Sequence, residues 1–416
     1  MSDTREYDVI IWGASSFTGR LVAEFYLNTY GVNGELKWAM GGRNQAKLEE
    51  VRAGLDGGQG KGRKNKDIPI LIADSHDQAS LNALVSKTKV ICTTVGPYAL
   101  YGSELVAACV EAGTDYCDLA GESQWIRRMI DQHHERAQET GARIVHCCGF
   151  DSIPSDMGTY FIQSKAKELK GEYAKAVKVR VKAMKGGASG GTIASINNVL
   201  AEVAEDKALF KLLNNPYTLN PRDAMTGKDK KDLRSVKFDE DADSFIMPFV
   251  MAAINTRVVR RSHALAGFPY GKDFTYDEAM MTGKGLSGRL KGFGGLLGLA
   301  AMLGGKPGGL YKKLTSKFLP APGEGPSKEE REAGFWKYLV IAKMRDGSTI
   351  KGFVSGDRDP GYGSTSKMLG EAAACLALDK DKTPKVAGMQ TPATAMGDAL
   401  IERLVSKAGL KFEIRS

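Results

Sequence analysis

The chain has 416 residues, 42% of them hydrophobic, enough for two or three domains with cores of their own and too apolar for a disordered protein. Its net charge of +9 is concentrated, because no acid falls between Glu278 and Glu324 while Lys284, Arg289, Lys291, Lys306, Lys312, Lys313 and Lys317 do. Aromatics are not interleaved as in a nucleic-acid module, and six scattered cysteines and five histidines lack disulfide or metal spacing. A strand pattern close to Met1 leaves no room for a secretory signal, so the expectation is a cytoplasmic protein without nucleic acid or metal.

The first element is the apolar run 7–12, a strand, followed by Gly13-Ala14-Ser15-Ser16-Phe17-Thr18-Gly19 and a helix-like stretch 20–27. A glycine turn at a helix N-terminus offers backbone N–H groups and the positive end of the helix dipole to a pyrophosphate. Gly19 allows the helix to pack closely on the strand, so a dinucleotide is the expected ligand. Ser16 stands where the fingerprint has its middle glycine, which either loosens the approach to phosphate or adds a hydroxyl to it.

Strand 36–41 and helix 45–55 come next, then a solvated loop 56–64, strand 68–73, helix 78–86, strand 89–95 and helix 103–112. Strand 115–118, helix 122–139 and strand 143–147 complete a pattern that fits a six-stranded, doubly wound parallel sheet. The second strand ends Met40-Gly41-Gly42-Arg43-Asn44, with no acid for a ribose hydroxyl. Arg43 offers a planar fork to a 2′-phosphate and Lys47 a point charge, which points to NADP(H); the plainer alternative is a surface arginine at a helix start.

The fourth strand runs into Val95-Gly96-Pro97-Tyr98, a turn expected to border the ribose or nicotinamide. Together with Tyr98 to Gly102, the loops Tyr116 to Glu122 and Cys148 to Asp156 gather Tyr, Asp and Glu at this edge, and Tyr98, Tyr101 and Asp151 are the candidate proton donors or their supports. The structural alternatives are a helix cap for Ser155 or Asp156, a place in a first helical turn for Glu122, a loop anchor for Asp118, and buried thiols for Cys147 and Cys148.

After helix 156–169 the rhythm changes to Val177-Lys178-Val179-Arg180-Val181-Lys182, an alternation with one wet basic face that signals an antiparallel sheet. A hairpin 337–344 and 349–354 supports a second, α+β domain. Helices 364–378 and 391–409, the latter begun by Thr391-Pro392, close the chain. Within 284–318, Leu286, Leu290, Phe293, Leu297 and Ala300 recur at helical spacing, with glycines that weaken a continuous helix and a length too short to span a bilayer. Peripheral membrane contact, a cover over a substrate cleft and a homodimer surface are the readings of this segment.

The loops quoted above, with Gly190-Gly191-Thr192, Gly361-Tyr362, Ser366-Lys367-Met368 and Gln390-Thr391-Pro392-Ala393, resemble the saccharopine dehydrogenase-like oxidoreductase family, in particular its trans-acting enoyl reductase branch. The resemblance implies an N-terminal Rossmann domain, a C-terminal α+β domain containing a mainly antiparallel sheet, and NADP(H) contacts at Gly13, Ser15, Phe17, Thr18, Arg43 and Gly96. Combined with the reading of the residues, the cofactor set is Gly13, Ser15, Ser16, Phe17, Thr18, Gly19, Arg43, Asn44, Lys47, Gly96 and Pro97. The expected domains are 1–155 for NADP(H), 156–360 for substrate and dimerisation, and 361–416 as helices packing back on the first. The expected activity is NADPH-dependent reduction of an activated C=C bond in an acyl or isoprenoid-like substrate, free or carrier-bound. An imine or amino-acid dehydrogenase, and a non-catalytic NADP-binding protein at a membrane or lipid droplet, are the alternatives.

Overall fold

Strand β1 (Tyr7–Trp12) is buried from Asp8 onward, and its neighbours carry the near-continuous apolar runs of strands covered on both faces. In this computed structural model, which describes residues 5–55, 65–186, 190–303 and 325–415, the chain divides into two units. The first comprises Met1–Phe150 with Tyr362–Gly409 and the second Asp151–Gly361 with Leu410–Ser416.

In the first unit β1 is followed by α1 (Phe17–Thr29), β2 (Trp38–Gly42), α2 (Gln45–Gly54), β3 (Ile70–Ile72), α3 (Gln78–Val85) and β4 (Thr88–Thr93). Short α4 (Tyr98–Tyr101), α5 (Ser103–Ala112), β5 (Asp115–Cys117), α6 (Ser123–Thr140) and β6 (Arg143–Val145) complete its first part. Helix ends carry local signals: Asn44 and Asp77 accept hydrogen bonds from Lys47 N and Ala79 N, each at 3.0 Å, and Gly113 and Gly141 close α5 and α6 in the left-handed region.

The second unit holds α7 (Ile153–Lys170), β7 (Ala176–Lys185), α8 (Gly190–Glu205), α9 (Lys207–Asn214), β8 (Lys237–Asp239), β9 (Ser244–Met247) and α10 (Ala252–Leu265). It continues with β10 (Thr275–Gly283), α11 (Gly285–Leu303), α12 (Lys328–Glu332), β11 (Phe335–Lys343) and β12 (Thr349–Gly356). The chain then returns to the first unit with α13 (Thr365–Leu378), β13 (Gly388–Gln390) and α14 (Pro392–Ser406), and ends in the second with β14 (Lys411–Ile414).

The first sheet is parallel throughout, in the order β13-β6-β5-β4-β1-β2-β3, so strand order reverses at β1 and β4. Seven strands replace the six expected, because β13 arrives from the far end of the chain to pair with β6, and a three-residue strand has too few positions to show a period. The second sheet runs β14-β12-β11-β7-β10-β9-β8 and is antiparallel except where β7 meets β10. The polar face expected to be wet on β7 stays exposed at Lys182 but is covered at Arg180. Arg180 is fully buried and pairs with Asp239 at 2.6 Å and with Asp277, while Lys178 lies 3.3 Å from Asp239. The alternation of charge marked a face without showing that aspartates would cover it.

Segment 284–318 also departs from expectation. Helix α11 runs unbroken from Gly285 to Leu303 despite its glycines, and residues 304–318, like loop 56–64, lie outside the described residues.

A buried ionic network ties α1 to the returning helices. Tyr30 OH, at the end of α1, donates to Glu371 Oε1 at 2.7 Å; Arg403 reaches Glu371 Oε2 at 3.3 Å, the Tyr30 hydroxyl at 3.0 Å, and Asp379. Burial pushes the Glu371 carboxyl up, and the Arg403 charge works against that. Replacing Arg403 by Met takes the ion-pair partner from buried Glu371 and leaves Asp379 with Lys382 alone, so unfolding in urea is expected to show a loss of about 3–5 kcal/mol. A loss under about 1 kcal/mol, the value of a surface pair, would show the network to be solvated.

Candidate dinucleotide site at the carboxyl edge of the parallel sheet

The turn after β1 is a close approach of backbone to backbone. Gly13 has φ +85°, and a Cβ there would lie 2.6 Å from Val95 Cγ2; a Cβ on Gly19 would lie 2.2 Å from Gly13 O. Ser16 caps α1: its Oγ accepts from Gly19 N at 3.0 Å and shares a 2.9 Å hydrogen bond with Thr94 Oγ1. The serine thus spends its hydroxyl fastening the turn to the end of β4. Among the described residues the backbone N–H groups of Ser15 and Thr18 have no partner, and both residues are accessible. They leave two donors at a helix N-terminus, the arrangement a pyrophosphate requires. Phe17 lies edge-on against Tyr362, with ring centroids 4.6 Å apart, and Arg20 sits 5.5 Å from the Phe17 ring centre.

At the end of β2, Arg43 and Lys47 are exposed, and among the described residues neither has an acidic partner. Asn44 is committed to capping α2, so its side-chain oxygen is occupied by Lys47 N. Two uncompensated cations and no carboxylate fit the 2′-phosphate of NADP(H) and do not fit the ribose hydroxyls of NAD.

Gly96 is exposed at the exit of β4, with Pro97 beginning the short helix that carries both tyrosine candidates. They differ in what they can do. Tyr98 is buried; its hydroxyl donates to Thr93 O at 3.2 Å and accepts from Leu119 N at 3.1 Å, and its ring stacks on Trp125. Burial, then the Asp118 charge, pushes its pKa well above the ordinary tyrosine value. Tyr101 is half-buried, and among the described residues its hydroxyl has no hydrogen-bond partner.

The carboxylates of the next loops are internal. Glu122 is fully buried and accepts from Tyr98 N and Ala99 N at 2.8 and 3.0 Å, capping α4 rather than its own helix. Asp118 accepts from Tyr116 OH, Ala120 N and Cys147 N at 2.9, 2.9 and 3.0 Å, with His146 Nδ1 at 2.6 Å. Cys147 holds φ +63° under this constraint, and both it and Cys148 are buried free thiols.

In the second unit Asp151, the first residue after Phe150, is half-buried and among the described residues has no hydrogen-bond partner. Burial pushes its carboxyl up to about 7. Ser152 follows at φ +101° and donates to Asn255 Oδ1 at 3.0 Å; Asn255 in turn donates to Glu278 Oε1 at 2.9 Å. Glu278 also accepts from Ser155 and Tyr276, each at 3.1 Å, and burial raises it to about 7 against the pull of those donors. Sequence reading passed over Glu278, because a lone glutamate in a strand carries no signal until the fold closes over it. Asp156 accepts from Ser262 Oγ at 2.5 Å. Among the described residues no group of three or more His, Cys, Asp or Glu is placed to hold a metal ion.

A doubly wound sheet, a glycine turn with open amides and an acid-free cationic end of β2 define an NADP-dependent oxidoreductase. Residues 9–145 match the family model of the saccharopine dehydrogenase NADP binding domain. A protein of Mycobacterium tuberculosis (strain ATCC 25618 / H37Rv) is 40% identical over 98% of this chain and 97% of its own length. The trans-acting enoyl reductases of Mycobacterium ulcerans (strain Agy99) and Mycobacterium bovis (strain BCG / Pasteur 1173P2) are 36% and 35% identical over 97% and 96% of this chain, and 96% of each relative. Apo saccharopine dehydrogenase (L-Glu forming) from Saccharomyces cerevisiae aligns with 99% of this chain and 100% of its own at 14% identity and a TM-score of 0.47. The chain belongs to the saccharopine dehydrogenase-like oxidoreductases, in the branch of the trans-acting enoyl reductases.

Arg43→Ala is expected to weaken NADPH binding about tenfold to a hundredfold, the loss of a charge-assisted hydrogen bond, and to leave NADH binding unchanged. Fluorescence titration with both nucleotides checks this, and equal losses for the two would remove Arg43 from the 2′-phosphate.

Proposed function

We propose that this oxidoreductase reduces an activated C=C bond in a hydrophobic acyl or isoprenoid-like substrate, free or held on a carrier. The bound NADPH would supply the hydride, delivered to the carbon β to an activating carbonyl. The amides of Ser15 and Thr18 would hold its pyrophosphate in the close turn that Gly13 and Gly19 permit, Arg43 and Lys47 its 2′-phosphate, and Gly96 and Pro97 would border the nicotinamide end. What the chain must add is a donor to the carbonyl oxygen, on which negative charge grows, and a proton for the α-carbon.

The observation that carries the reading is Asp151, a carboxyl with a pKa near 7 and no hydrogen-bond partner among the described residues, one residue beyond the loop that leaves β6. Such a group carries its proton at neutral pH and can release it, as a general acid must. Tyr101, with an open hydroxyl beside the Gly96-Pro97 turn, is the second donor, and Tyr98 supports the turn instead of reacting. The names of the mycobacterial relatives favour enoyl reduction.

The amino-acid alternative asks for cations free to clamp a carboxylate substrate, and the buried arginines of the second unit are spent on the protein itself. Arg180 pairs with Asp239, Arg257 with Asp232, Arg260 with Asp229 at 2.8 Å, and Arg261 donates to Leu219 O.

NADPH oxidation measured against a panel of α,β-unsaturated acyl thioesters and enones, with imines and amino acids as controls, tests the reading. Turnover confined to imines or amino acids would overturn it. Asp151→Asn is expected to lower kcat by about 10²–10⁴-fold with little change in NADPH affinity. In the parent enzyme kcat should fall as pH rises through about 7, where Asp151 loses its proton, and the variant should lose that limb.

The same shift has a stability consequence with a definite sign. Asp151 binds its proton more tightly folded than unfolded, so its contribution is favourable below the ordinary aspartate pKa and is lost as pH rises toward 7. Asp151→Asn should therefore raise Tm at pH 8 more than at pH 4. An equal change at both values would show that burial does not perturb this carboxyl.

A further inference from the structure

We propose that α11 docks the protein on an anionic lipid surface, lying flat with its outward face in the headgroup region. The helix is mounted in the reverse of the usual sense. Three of its six glycines pack inward: a Cβ on Gly292 would lie 2.8 Å from Val236 Cγ1, on Gly295 2.4 Å from Met247 Sδ, and on Gly288 2.2 Å from Gly283 O, while Gly285, Gly294 and Gly298 meet nothing within 4 Å. At 3.6 residues per turn, Leu286, Leu290, Phe293 and Leu297 fall on the opposite side, and their exposures are 72, 61, 43 and 72%. An amphipathic helix ordinarily turns its leucines inward, whereas this apolar stripe is turned outward and is left uncovered by the described residues.

The chemistry around the stripe selects the partner. Arg289 flanks it, exposed, with its guanidinium 5.9 Å from the Phe293 ring centre, and Lys291, also exposed, lies farther round the helix; Lys284, at the helix start, is already paired with Asp243. Helix α11 contains no acid. Two copies meeting through this face would bring like charges together with nothing to neutralise them, whereas anionic headgroups supply the missing charge. Long cationic side chains beside an apolar stripe can bury their stems while their heads reach phosphate. The stripe itself offers no hydrogen-bonding side chain, unlike a protein interface with its regular complement of polar contacts. No helix among the described residues is long and apolar enough to cross a membrane, and at 19 residues, about 28 Å, this one covers a surface.

The test uses the full chain and sucrose-loaded vesicles, either of phosphatidylcholine with phosphatidylglycerol or of phosphatidylcholine alone. The parent is expected to co-sediment with the anionic vesicles, and less so at high salt. The combined variant Leu286→Gln, Leu290→Gln, Phe293→Gln, Leu297→Gln should lose about tenfold or more in partitioning, and Arg289→Gln with Lys291→Gln should lose the preference for anionic lipid. Because these side chains are exposed, both variants should keep the parent's thermal transition and NADPH affinity, which separates loss of docking from loss of fold. The proposal is overturned if the parent does not co-sediment or if the apolar variant partitions like the parent. It is also overturned if the parent is a dimer in solution that the apolar variant converts to a monomer, which would make a second copy the occupant. The outcome is independent of which substrate is reduced.

Discussion

A carboxylate that never meets solvent holds together the carboxyl edge of the parallel sheet in the first unit. Asp118 gathers the Tyr116 hydroxyl, the Ala120 and Cys147 amides and the His146 ring, and its own carbonyl accepts from Cys148 N at 2.7 Å. Two strand exits are thereby joined at one point, at the cost of a left-handed cysteine. A buried acceptor is expensive unless satisfied, so each donor is also a constraint: removing one leaves the carboxylate short of a partner as well as a loop unanchored. Glu122 does for α4 what Asp118 does for the loops, by placing a carboxylate on two amides at a helix N-terminus. The paths that lead to Tyr101 and to Asp151 both start from these two internal acids.

The cofactor edge rests on a different economy, that of space. Gly13 and Gly19 are required because a methyl group at either position would overlap its neighbours, and Ser16 is tolerated because its side chain turns back to cap the helix and bond Thr94. The serine that breaks the glycine fingerprint therefore takes one amide of the turn, that of Gly19, and gives the turn a fixed connection to the residue after β4. Outside the turn, Arg43 and Lys47 at the end of β2 are exposed, and among the described residues neither has an acidic partner.

Much of this was legible in the order of residues. The alternation of apolar strands and amphipathic helices, the glycine turn, and the acid-free end of the second strand all depend on near neighbours, and the structure places them at the carboxyl edge of one parallel sheet. What escaped depended on distant ones. β13 is only three residues long and becomes a strand because β6 offers it an edge. Arg180 looked solvated because its aspartates sit 59 and 97 residues away. Tyr98 and Tyr101 are alike in sequence, yet one hydroxyl is consumed by Thr93 and Leu119 and the other is not.

By itself the sequence determined the class of fold and the nucleotide, because the alternation of elements, backbone geometry at glycine and charge at a strand end are local properties. Only the tertiary structure decided which carboxyls are anchors and which can carry a proton at neutral pH, since a pKa follows from desolvation and partners supplied by other elements. It also decided the orientation of α11. The helical spacing of Leu286, Leu290, Phe293 and Leu297 defines a face, but which way that face points is set by the glycines opposite it and by the sheet against which they pack.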